Sequence, residues 1–137
     1  MPAFSKTSLE RLSTCHPDLQ TLFNEVIKYF DCAVIVGHRG QAEQDAAFRD
    51  GLSKLKWPNG QHNSMPSMAA DVAPYPIDWK DTKRFCYFAG VVMGIAETLL
   101  EQGKISHKIR WGGDWNMNSQ VKDETFHDLP HFELRKI

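Results

Sequence analysis

Two stretches of the chain repeat apolar residues at helical spacing. After Pro17, a residue suited to a first helical turn, Leu19, Leu22, Phe23, Val26, Ile27 and Phe30 form one stripe. Phe85, Phe88, Val92, Ile95 and Leu99 form a second, which predicts the longest helix over 79–102, capped by Asp78 and ended by Gly103. Thr7 and Glu10 in "TSLE" have capping-box spacing and predict a short helix before these two. "QAEQDAAFRDG" reads as a helix stopped by Gly51. Four shorter runs read as strands: "CAVIVGH", buried and ending at Gly37, "MAADVAPY", stopped by Pro74 and Pro76, and "HKIRWG" and "PHFEL". Between the first two strands, "LSKLKWPNGQHNSMPS" is broken by Pro58, Asn59, Gly60 and Pro66 and reads as loop. The order fits an α+β domain: helices packed on a small, mostly antiparallel sheet.

Composition narrows the class without naming it. The 137 residues suit one domain, 1–137, with no repeat or linker; 42% are hydrophobic and 24% charged. A formal net charge of −1, with no dense Lys/Arg run, gives no electrostatic footing for nucleic acid or an anionic membrane. Cys15, Cys32 and Cys86 are an odd number without CxxC spacing and read as reduced, small hydrophobes. The N-terminal stretch has no apolar signal-peptide core, and the longest apolar run, 86–96, is too short to span a bilayer. The expectation is a chain held in the cytoplasm.

The chemistry concentrates in two places. In "QHNSMPSMAADVAPYP", His62 is followed by no titratable residue until Asp71. In "FHDLPHFEL", His131 opens a strand and Asp128 stands three residues before it. A catalytic zinc takes three nitrogen and carboxylate ligands and keeps one position open. His62, Asp71 and His131 would supply two imidazoles and a carboxylate, leaving the ion a net positive charge. Asp128 would be the nearby carboxylate that moves the proton. Glu133 shares a strand face with His131 and could be a supporting partner or a competing base; spacing alone does not choose. His127 lies beside Asp128 on an extended segment and should face away. His16 and His107 read as surface residues, His38 as a structural or solvent-facing neighbour, and Met65 and Met68 as packing. Asp114, Asp123 and Glu124 are possible oxygen ligands for Ca²⁺, without EF-hand spacing.

"HNSMPSMAADVAPYP" followed by "DLPHFEL" resembles the zinc peptidases of the D-alanyl-D-alanine carboxypeptidase (VanY-like) family, most of all phage endolysins that are L-alanyl-D-glutamate peptidases. The similarity runs from "VIVGHRG" to the last strand, about three quarters of the chain. The family pattern of a His, a downstream Asp and a C-terminal His preceded by an acidic base falls on His62, Asp71, His131 and Asp128. It ranks Asp128 above Glu133. Two departures are visible: many members place six residues between the first His and the Asp where this chain has eight, and Gly60 stands where members often carry Ser.

The resemblance implies a metal site in a cleft over the sheet, with one Zn²⁺ per chain. Arg39, in "VGHRG", matches an arginine that helps hold the substrate carbonyl and its developing oxyanion. "RWGGDWN" is similar to the loop that walls the cleft, with Trp111 and Trp115 as flat apolar surface and Asp114 contacting a substrate amine or capping a turn. The implied function is that of a phage-type endolysin. It would be a zinc metallopeptidase that hydrolyses peptidoglycan stem peptides at the L-alanyl-D-glutamate bond and acts as a monomer. It would stay in the host cytoplasm, without stable membrane association, until released through a holin pore to the cell wall at lysis. A D-alanyl-D-alanine carboxypeptidase would keep the mechanism and change the bond. A zinc-stabilised, non-catalytic cell-wall binding module is the alternative of another class.

Overall fold

The computed structural model describes residues 2–124 and 127–137. Four helices, α1 (Lys6–Leu12), α2 (Pro17–Val26), α3 (Gln41–Arg49) and α4 (Thr82–Glu101), and four strands, β1 (Cys32–Val36), β2 (Ala69–Pro74), β3 (Lys108–Trp111) and β4 (His131–Arg135), follow in the order α1-α2-β1-α3-β2-α4-β3-β4. The strands form one antiparallel sheet in the order β1-β2-β4-β3. This is the α+β arrangement that the pattern of elements predicts, and every pairing in it is antiparallel.

Two helix starts differ from expectation. The cap of α1 is Ser5, whose hydroxyl accepts from the Ser8 N–H, and Thr7 lies inside the helix. Phe4 packs against the core and so draws the entry point toward the N-terminus. The cap of α4 is Asp81, which accepts from the Arg84 N–H; Asp78 instead closes a turn onto the Lys80 N–H. Arg84 also donates to the carbonyls of Tyr75 and Pro76 at 3.0 Å, which holds the segment before the helix in a turn. Gly51 and Gly103 follow α3 and α4 at φ +76° and +73°, the stops that the sequence predicts.

One face of the sheet carries the core. Ala70, Val72, Ile109, Phe132 and Leu134 are buried there, and Phe132 meets Phe23 of α2 and Phe88 of α4 edge-on, at centroid separations of 5.6 and 6.2 Å. The apolar stripes of α2 and α4 face this layer. The opposite face of β2 and β4 is buried too, but it carries Asp71, His131 and Glu133. Side chains alternate across a strand, so a run buried on both faces can hold a polar row only where something else covers it. Here the cover is α3, the segment 52–60 and a 3-10 turn, Gln61–Asn63. All three cysteines are free; burial pushes the thiols of Cys15 and Cys32 up to about 11 and 12, away from reactivity. No helix among the described residues is long and apolar enough to cross a membrane.

Candidate metal centre and cleft

Register brings two of the three candidate ligands together. Asp71 of β2 and His131 of β4 are cross-strand partners, so their side chains rise side by side from one face. The third arrives from the 3-10 turn, where His62 is buried. His62 Nε2 lies 3.1 Å from Asp71 Oδ1 and 3.3 Å from His131 Nδ1, and the last edge, His131 Nδ1 to Asp71 Oδ1, is 3.2 Å. Donors about 2.0–2.1 Å from one tetrahedral zinc are roughly 3.3 Å apart. The triangle therefore fits a small divalent ion in both size and donor type.

Each imidazole is held in the tautomer that binding requires. His62 Nδ1 donates to the Gly37 carbonyl at 2.8 Å, so Nε2 is the nitrogen that faces the triangle. His131 is the mirror case: Nε2 donates to Glu133 Oε1 at 2.8 Å, and Nδ1 faces inward. The other Glu133 oxygen receives Arg110 at 2.8 Å. With both oxygens occupied and the side chain buried, Glu133 orients His131 and is poorly placed as a base.

The charges of the three candidate ligands are tied to one another. Burial alone would favour a neutral Asp71, but the charge of His62 and hydrogen bonds from both imidazoles outweigh it and hold the carboxyl far below the usual range. Burial likewise opposes a charged His131, yet the Asp71 and Glu133 carboxylates lift its pKa to about 10. A cation seated among these donors would displace that proton.

Asp128 stands at the mouth of the triangle, with Oδ2 3.8 Å from His131 Nδ1. Burial, and after it the charge of Asp71, push its carboxyl up to about 6, against the pull of His131, His62 and Arg39. A bound cation would pull it back down. Its backbone is pinned, with its N–H donating to the Gly112 carbonyl at 2.8 Å and its own carbonyl accepting from the His131 N–H at 3.0 Å. A Cβ at Gly112 would lie 2.0 Å from the Asp128 carbonyl oxygen, so the close approach requires glycine there. Arg39 reaches the site from the end of β1, its guanidinium 3.7 Å from Asp71 Oδ2.

These side chains line a cleft of about 350 Å³. One wall is Leu52–Leu55; the opposite wall is Trp115, whose ring lies 5.4 Å from that of His131 and carries the Arg110 guanidinium at 5.3 Å. Trp111 is not part of it. It is 7% exposed, belongs to the core and donates its indole N–H to the Leu129 carbonyl at 2.7 Å. Asp114 does not line the cleft either; it accepts from the backbone N–H groups of Asn118 and Ser119, the turn-capping role. His127 is exposed and bonds the Val121 carbonyl, outside the site.

Gly60 also has a reason to be there. Its N–H donates to Asn63 Oδ1 at 2.8 Å, and a Cβ would crowd that same oxygen at 2.7 Å. His62 takes its support from the Gly37 carbonyl.

One other His–Asp–His group exists among the described residues: His16, Asp18 and His107. These histidines are half-buried rather than loose on the surface. His16 Nδ1 accepts the Asp18 N–H at 3.0 Å as the cap of α2, so the neutral ring carries its proton on Nε2. Binding an ion through Nε2 would then demand an imidazolate. His107 Nδ1 meets Asp18 Oδ2 at 2.7 Å, and the Ser106 N–H and hydroxyl donate to the same oxygen. This group fastens the start of α2 to the approach to β3. The buried triangle is the one that fits a metal.

Sequence reasoning missed three contributors. Arg110 neutralises Glu133, and Asn63 and Gln44 support the turn that carries His62. Arg110 had a readable signal: it alternates with Ile109 and Trp111, so it must face away from the core.

Two imidazoles, one carboxylate and an adjacent second carboxylate in a cleft form the donor set of a metal-dependent hydrolase. The comparisons narrow that class. The chain belongs to the phage L-alanyl-D-glutamate peptidase family, whose model matches residues 2–135. It is thus a peptidase of that specificity class, with a buried group that could bind a metal. Among solved structures it is similar to the Serratia marcescens L-Ala D-Glu endopeptidase ChiX. The identity is 25% and the TM-score 0.70, over 98% of this chain and 91% of that one. No curated protein matches the chain significantly.

Proposed function

We propose that the protein is a zinc endopeptidase that cuts the L-alanyl–D-glutamate bond of peptidoglycan stem peptides as a phage-type endolysin. The observation that carries this reading is the donor triangle, with edges of 3.1, 3.2 and 3.3 Å and a carboxylate at its mouth. His62 Nε2, Asp71 Oδ1 and His131 Nδ1 would hold the ion. Zinc bound there supplies a Lewis acid that polarises the scissile carbonyl and acidifies the attacking water.

The remaining work falls to the chain. Asp128 accepts the proton of the attacking water and delivers it to the leaving amine, from a position fixed by its pinned backbone at the mouth of the triangle. Arg39 offers N–H groups to the carbonyl oxygen as negative charge develops on it. Trp115 and the 52–55 wall confine the peptide between them. The protein acts as a monomer and waits in the host cytoplasm until a holin pore admits it to the cell wall.

The deciding experiment measures zinc in the purified protein and lysis of outer-membrane-permeabilised cells before and after chelation. The expected result is one zinc per chain, with lysis lost on chelation and restored by zinc. Lysis that persists without zinc would overturn the reading. Mass analysis of muropeptide digests then identifies the bond; release of terminal D-Ala alone would make the protein a carboxypeptidase instead.

A further inference from the structure

Gln44 of α3 is 1% exposed, and every hydrogen-bonding position of its amide is used. Oε1 accepts from Arg39 at 3.1 Å and from Asn63 at 3.0 Å. Nε2 donates to Ser53 Oγ at 3.0 Å and to the Leu55 carbonyl at 2.6 Å. The partners fix which end of the amide is which, because a guanidinium only donates and a carbonyl only accepts. They also come from three places that matter: the arginine at the cleft, the neighbour of His62, and the cleft wall.

An amide buried this deeply is costly unless fully paired, and an apolar residue would fill the position without that demand. The polar side chain therefore serves its partners rather than the core. Arg39 shows how. Its guanidinium stops 3.7 Å from Asp71 Oδ2, well beyond the roughly 2.8 Å of a charge-assisted hydrogen bond. Its other nitrogen is engaged by Gln44 instead.

We propose that Gln44 is a positioning residue that holds Arg39 short of Asp71 and aimed into the cleft, while its other end fixes the Ser53–Leu55 wall. This rests on the role given to Arg39 above, and the test separates the two. In the zinc-loaded enzyme, kcat and KM on a purified muropeptide are compared for Gln44→Leu, Arg39→Ala and the double variant. Gln44→Leu should lose about 10²-fold in kcat with zinc content unchanged, the scale of a misplaced catalytic contact. The double variant should be no slower than Arg39→Ala alone, because one residue acts through the other. Losses that multiply would overturn the proposal, as would a Gln44→Leu enzyme with a lower melting temperature and normal kcat. Full kcat in Arg39→Ala would instead defeat the role of Arg39.

Gln44→Glu provides a second test if the leucine variant does not fold. It keeps the acceptor for Arg39 and Asn63 and removes both donors to the wall. KM should rise several-fold, and kcat should fall less than in Arg39→Ala. A kcat as low as that of Arg39→Ala, or a wild-type KM, would refute the division of labour.

Discussion

At the scale of single residues, two carboxylates near one histidine separate by what their oxygens touch. Glu133 has both oxygens engaged, by His131 and Arg110, whereas Asp128 faces the donor triangle from the open side. Replacing each should therefore damage a different quantity. Asp128→Asn keeps the shape and the three ligands, so zinc stoichiometry should stay at one while hydrolysis falls about 10²- to 10⁴-fold, the usual worth of a proton-transfer group. Zinc content and muropeptide turnover, measured on one preparation, check this; undiminished turnover would remove Asp128 from the mechanism. Glu133→Gln can still meet His131 but no longer presents an anion to its N–H. Zinc affinity should weaken roughly 10- to 100-fold, read by competition with a chelating dye. An unchanged affinity would show that the Glu133 bond does not tune the ligand.

At the scale of elements, the long apolar stripes made α2 and α4 legible, because a helix that packs on a sheet must show its period. The ends were less legible. Ser5, Thr7, Asp78 and Asp81 are all competent caps, and tertiary contacts of Phe4 and Arg84 chose among them. That His62, Asp71 and His131 form one candidate metal group could be read because His62 and Asp71 bracket an untitratable stretch, and a histidine opens the last strand, in a pattern that resembles a known family. Gln44 could not be read as a site residue, and alternation gives the face of Arg110 but not its partner. Their partners lie up to 19 and 23 residues away and are set by loop packing and strand register. Trp111 was misplaced although alternation from Ile109 puts it in the core.

The fastening of α2 to β3 by Asp18 carries its own expectation. Burial would raise this carboxyl, but hydrogen bonds from His107 and Ser106 win and lower it. A lowered carboxyl stabilises the fold fully above its unfolded pKa of about 3.9, and that contribution disappears as the pH falls through the folded value. Asp18→Asn should thus cost about 1–2 kcal/mol at neutral pH. The gap in melting temperature from wild type, both without zinc, should narrow below about pH 3.9. An equal gap at pH 7 and in strong acid would mean that the ionised carboxylate adds nothing.

At the scale of the whole molecule, the three ligands tie together parts that the core does not. Asp71 and His131 belong to neighbouring strands already joined by backbone hydrogen bonds, but His62 sits in a turn amid the segment that roofs the cleft. The polar links that hold that roof include the Arg39 N–H to the His62 carbonyl, the His62 ring to the Gly37 carbonyl, the Asn63 amide to the Arg39 carbonyl, and the amide of Gln44. An ion shared by all three ligands would stabilise the folded state by mass action, about 2.7 kcal/mol at a free concentration one hundred times its dissociation constant. Zinc should accordingly raise the melting temperature of the stripped protein, with hydrogen exchange slowing most across 52–68 and least in α2 and α4. His62→Ala separates that closure from simple binding to the sheet. It leaves Asp71 and His131 in register, so any zinc it still takes up should raise the melting temperature less than in the wild type and should not protect the roof. Protection of 52–68 by zinc in that variant would show that the ion does not act through His62, and the triangle would lose its third corner.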